Sequence, residues 1–293
     1  MEATHKQIKS MIELNIKNNP VFCPNENFRK DIINILCASL FVPNSKDLID
    51  GVYQTMDSFI NKDDANLLYP MDARLLDSGI DKQNINQNGN IYAGHDLPVW
   101  LGNPKEPGIR IMVVSQDPRR SEREMRQIGL SGDIGGIALS SPFGLHSYKW
   151  RSSKKTGLIH YLFTEMIQDY AESGKSLSVY YTDVYKLRGV DAISAGKIIK
   201  TSVTDINNTE YYFKILQEEF NLFNPTIVLL LGTEAQKAFD QAKNNINISS
   251  CTPVEVPHPS AQWSTWKEYT SSYKTNERIQ FYKDSIKEKL SSC

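Results

Sequence analysis

The sequence predicts an α/β fold with a central parallel four-stranded sheet flanked by helices, and two observations lead there. From about residue 105 onward, short continuous apolar runs alternate with helix-period segments, the pattern of strands and crossover helices in a doubly wound sheet. The clearest run, IRIMVVS at 109–115, is apolar without alternation and is bounded by Gly108 and by Asp117-Pro118, as expected of a parallel strand buried on both faces. In order, a helix is expected over 157–171, a strand over 178–183 and a helix over 211–223. A strand over 226–232, a helix over 235–242, a short strand over 253–256 and a last helix over 278–290 follow. The first part reads differently. Ile8, Met11, Ile12 and Ile16 share a helix face, a second helix is expected over 28–40, and a third over 45–60 places Leu48, Val52, Met56 and Ile60 four apart. The Asn- and Gly-rich stretch 81–96 reads as a loop or linker. The division is therefore a helical N-terminal extension, 1–95, and an α/β domain, 96–293.

Composition narrows the function. The chain has 293 residues, 40% of them apolar, a formal charge of -1 and a pI near 6.5; that is enough for one sizeable domain and is not a globally basic nucleic-acid coat. Locally the balance shifts: residues 105–155 hold ten Lys/Arg against five acids, a surplus that would suit phosphates or form an ordinary solvated face. Cysteines at 23, 37, 251 and 293 form no CxxC pair, which argues against a zinc or iron–sulfur site and fits reduced thiols. The first residues carry no apolar leader and no window approaches a membrane-spanning length, so a cytoplasmic protein without membrane attachment is expected.

In a doubly wound sheet the ligand sits beyond the carboxyl ends of the strands. Three such ends carry chemistry-bearing residues: Gln116-Asp117, Thr182-Asp183, and His258-Pro259-Ser260. Each has a bland reading as a turn, a helix cap or a structural histidine. Together they would supply an acid/base carboxylate, a polarising imidazole and a base-reading group in one crevice. No Gly-rich phosphate loop follows any strand, which disfavours a simple nucleotide-binding α/β protein.

Five segments in order resemble the uracil-DNA glycosylase superfamily. VVSQDP at 113–118 resembles its water-activating motif, and GIALSSP at 136–142 its pyrimidine-binding segment. VYYTDVYKLR at 179–188 resembles the base-reading strand, and IVLLLGTEAQKAF at 227–239 the strand–helix unit before the last motif. HPSAQ at 258–262 resembles the histidine and intercalation loop. The resemblance covers roughly 105–290 and implies DNA as partner, a monomer acting on it, and no metal or other cofactor. It implies that Asp117 activates water, that His258 stabilises the departing base, and that the backbone near Gln116 adds a donor. It implies further that Ser260 and Ser141 hold phosphates, with Arg120 nearby, and that Gln262 or Trp263 fills the gap left by a flipped nucleotide. Trp263 and Trp266 are equal candidates for wedge and core.

Three positions depart from the uracil-specific pattern. Arg119 stands where those enzymes have a tyrosine crowding the pyrimidine C5. Leu139 stands where they have a stacking phenylalanine, with Phe143 as a substitute. Thr182 or Asp183 stands where they have the base-reading asparagine. An amide suits uracil, whereas a carboxylate only accepts hydrogen bonds and suits the cytosine amino group. With C5 uncrowded, the expected base is a C5-modified cytosine, as in glucosylated hydroxymethylcytosine of phage DNA. The competing expectations are a repair glycosylase for uracil or mismatched bases, and a fold-mate that binds DNA or protein without catalysis.

Overall fold

A computed structural model describes residues 23, 25–58, 91–115, 139–140, 156–190, 192–194, 197–200, 209–243, 253–259 and 261–291. The chain runs through α1 (Glu26–Ser39), a 3₁₀ turn (Pro43–Ser45), α2 (Lys46–Ser58), β1 (Ile91–Asp96), β2 (Val99–Leu101), β3 (Ile109–Ser115) and β4 (Leu139–Ser140). Then come α3 (Thr156–Glu172), β5 (Leu177–Asp183), β6 (Leu187–Val190), β7 (Ala192–Ser194), β8 (Lys197–Lys200) and α4 (Thr209–Phe223). The order ends with β9 (Ile227–Leu231), α5 (Thr233–Lys243), β10 (Pro253–Val256), α6 (Trp263–Trp266) and α7 (Thr275–Ser291).

The main sheet has the order β10–β9–β3–β5–β2. Its first four strands are parallel, as the apolar runs predict, and β2 adds an antiparallel edge on β5. Parallel strands buried on both faces explain the unbroken apolar runs: Ile111–Val114 and Ile227–Leu229 are inaccessible to solvent. The chain leaves the central β3 for β5 and later returns to β9 on the other side of β3. Connections from β3 and β9 therefore diverge, and divergence of this kind opens a crevice at the carboxyl ends of those two strands.

Side chains alternate across the sheet. Tyr180 of β5 meets Phe28 of α1 and Phe223 of α4, whereas Tyr181 meets Phe163 of α3. Thus α1, α4 and α5 cover one face, and α3 with α7 the other. Asn25 caps α1 by accepting a hydrogen bond from the Phe28 amide at 3.0 Å. Phe28 then packs edge-on against Trp100 with ring centroids 4.9 Å apart, so α1 shares one continuous apolar core with the sheet. The Arg29–Asp50 ion pair, 2.7 Å, ties α1 to α2. The expected helix 1–20 lies outside the described residues.

The structure differs from the sequence reading over 81–96, because the end of that polar stretch, Ile91–Asp96, is strand β1. It pairs in parallel with β4 and antiparallel with β6. Gly94 and the preceding asparagines hide the strand, and its partners are remote in sequence. Strands β6, β7 and β8 and the short helix α6 were likewise not expected. Among the described residues no helix is long and apolar enough to cross a membrane.

Candidate active site

The carboxyl edge of the sheet is built first by β3 and β5. Parallel register sets Ser115 opposite Asp183, and the Ser115 hydroxyl donates to the Asp183 carboxylate. Both residues are buried, Asp183 almost completely. The Val184 amide donates to the Ser115 carbonyl at 3.0 Å, which carries the pairing one residue past the strand end. Gln116, Asp117, Arg119 and Arg120 follow Ser115 in sequence and lie outside the described residues.

Thr182 belongs to the opposite face. Its hydroxyl donates to Glu219 of α4 at 2.9 Å and accepts from Lys186. Lys186 and Glu219 pair at 2.9 Å with no solvent exposure on either side chain. A buried ammonium requires such a partner, since an uncompensated charge in the interior is strongly unfavourable. Strand alternation therefore separates the two candidates: Thr182 is held in an ion-pair network under the sheet, while Asp183 sits beside Ser115 on the other face. Lys186 and Glu219 escaped the sequence reading; their only signal was a lysine shortly after an apolar strand and a glutamate within an amphipathic helix.

The third contribution comes after β10. His258 lies against the turn that ends β9: a Cβ placed on Gly232 would lie 2.9 Å from the His258 Cβ. Gly232 also has φ of +84°, a conformation that favours glycine. The LLLG sequence thus ends in glycine because the imidazole segment passes next to it. Desolvation lowers the His258 pKa from 6.5 to about 4, so the ring is neutral at physiological pH and offers one N–H donor. Helix α7 holds this segment in place. Tyr282 donates its hydroxyl to the Pro257 carbonyl at 2.5 Å, and Arg278 donates through Nη1 to the Pro259 carbonyl at 3.0 Å. The Ala261 amide closes a turn onto the His258 carbonyl at 2.9 Å. Arg278 and Tyr282 were not singled out from sequence, although their spacing of one helical turn at the start of α7 was visible.

Ser260 lies outside the described residues. Gln262 is exposed and precedes α6. The two tryptophans divide: Trp266 is fully buried against Phe281 and Tyr282, while Trp263 is 40% exposed. Leu139 and Ser140 form β4, in parallel register with His95 and Asp96; Ser141 and Phe143 lie outside the described residues. Because β1 leads into β2, and β1 and β2 run antiparallel to β6 and β5, the backbone brings the 139–140 segment to the carboxyl side of β5. A hollow of about 550 Å³ lined by Glu106–Ile109 and Gly174–Ser176 lies at the amino ends of β3 and β5, opposite this edge.

Fold and site define an α/β protein whose buried carboxylate and neutral imidazole sit at the carboxyl edge of a parallel sheet. The sequence model for the uracil DNA glycosylase superfamily matches residues 103–284, more than half of the chain. The chain belongs to the uracil DNA glycosylase superfamily. Membership supports a function of the DNA glycosylase type, with DNA as the substrate class. No curated protein matches the chain.

Proposed function

We propose that this protein is a monofunctional DNA glycosylase that excises a C5-modified cytosine, of the glucosylated hydroxymethyl kind found in phage DNA, in the cytoplasm. The observation that carries the base assignment is the buried Asp183 carboxylate at the end of β5, on the sheet face opposite the Thr182–Lys186–Glu219 network. A carboxylate accepts only, so it matches the cytosine N4 amino group and repels a uracil O4.

In the proposed reaction Asp117 orients a water and takes its proton as the oxygen bonds to C1′. The glycosidic bond breaks, and negative charge develops on O2 of the leaving base. The N–H of neutral His258 donates to that oxygen, joined by backbone near Gln116. Leu139 and Phe143 stack on the extruded base, and Arg119 hydrogen-bonds a polar C5 substituent. Ser141, Ser260 and Arg120 hold phosphates without reading sequence.

The test incubates the purified protein with otherwise identical DNA carrying uracil, cytosine or glucosylated hydroxymethylcytosine, and scores abasic sites. Release from the glucosylated substrate alone is expected. Release from uracil DNA alone would replace the proposal with a repair enzyme. DNA binding without release from any substrate would replace it with a binding protein.

A further inference from the structure

The last rung of the main sheet carries a side chain to which the proposed excision gives no part. Ser115 ends β3, the central strand, and lies in register with Asp183 at the end of β5. Both are buried. A serine hydroxyl has one proton to give, and here it goes to the Asp183 carboxylate. A serine at a strand end more simply bonds nearby backbone or water, so a bond across two strands to a buried acid calls for an explanation.

The pair is held firmly. Strand β3 is hydrogen-bonded to β5 on one side and to β9 on the other. The Val184 amide extends the first pairing by donating to the Ser115 carbonyl at 3.0 Å. From the opposite face, Lys186 and Glu219 hold the neighbouring Thr182. The strand end that carries Asp183 is thus fixed on both faces, and the Ser115 hydroxyl restrains rotation of the carboxylate itself. Groups mounted on strands keep their geometry more closely than groups on loops.

The consequence is a choice of hydrogen-bond pattern. A protonated acid presents an O–H donor beside a carbonyl acceptor, the pair that an amide presents, and so satisfies both N3–H and O4 of uracil. A carboxylate presents acceptors only; it receives the cytosine N4 amino group and repels O4. A bond donated to a carboxylate favours that form over the acid. We propose that Ser115 is a specificity-determining positioning residue, whose hydroxyl holds Asp183 as an acceptor toward the base so that cytosine is taken and uracil refused. This rests on the glycosylase reading with Asp183 as base reader, and Ser115 acts through Asp183 rather than on the base.

The test measures base release in single turnovers on otherwise identical duplexes carrying glucosylated hydroxymethylcytosine or uracil. Wild type should favour the glucosylated base. Ser115→Ala should lower that preference about 10-fold, through slower release of the modified cytosine and new release of uracil. Ser115→Cys, close in size but a weak donor, should follow Ser115→Ala, whereas Ser115→Thr keeps the hydroxyl and should retain the wild-type ratio. A general loosening of the fold slows both substrates alike and leaves the ratio where it was. If Ser115→Ala or Ser115→Cys keeps the wild-type ratio, the positioning role is wrong and the glycosylase reading stands. Release of neither base by wild type, or of uracil alone, removes the base reading and this role with it.

Discussion

At the scale of single residues, the proposed chemistry turns on a histidine kept neutral by desolvation. His258 titrates near pH 4 in the folded protein instead of 6.5. Base release should therefore be flat from neutral pH down to about 5 and fall only as the ring protonates near 4; an inflection near 6.5 would show that the ring is not desolvated. The same shift acts on stability. Between pH 6.5 and 4 the unfolded chain takes up a proton at this position and the folded chain does not, so stability falls as pH falls through that window. His258→Gln removes this dependence, and its melting temperature should drop less between pH 7 and 4 than that of wild type. At this scale the sequence was informative but incomplete. The HPS segment marked His258 directly, and Gly232 was visible as the end of an apolar run. What was hidden was their contact, because residues 232 and 258 meet only when β9 and β10 lie side by side. The choice between Thr182 and Asp183 was hidden for a related reason: alternation fixes that they differ in face, but only the packing of α4 says which face is which.

At the scale of elements, β5 and the segment after it depend on α4. The Lys186–Glu219 pair has no access to solvent, so removing one partner strands a charge in the interior. Glu219→Ala should cost about 3–5 kcal/mol, read as a lower urea midpoint with an unchanged slope. The double substitution Lys186→Met with Glu219→Leu should recover much of that loss. An effect within experimental error for the single variant would mean that the charge reaches water. Elements with strong local pattern were legible: β3, β5, β9, β10, α3, α4 and α5 all fall within a few residues of their expected positions. Those that were missed share a physical cause. β1 pairs with Val190 and Leu139, far away in sequence, and has a glycine in its middle. β2 is three residues long and is defined by its partner β5 rather than by its own periodicity. Helix α6 is one turn held by Trp266 packing, with no helical pattern for a sequence to display.

At the scale of the whole molecule, topology sets where the proposed chemistry would lie. Strands β3 and β9 send the chain in opposite directions, and the resulting crevice collects the strand ends that carry Ser115, Asp183 and His258. Helix α1 continues the core rather than lying apart from it, with Phe28 among Trp100, Tyr180 and Phe223. The superfamily assignment covers 103–284 and so includes this crevice but not α1. The central claim is that the acid after β3 and the imidazole after β10 act on one extruded nucleotide. The most direct measurement compares wild type with Asp117→Asn for both base release and DNA binding on the substrate that wild type cleaves. Release should fall by about 10²–10⁴-fold while the dissociation constant for DNA stays within a few-fold of wild type. Equal release by the two proteins would contradict the account.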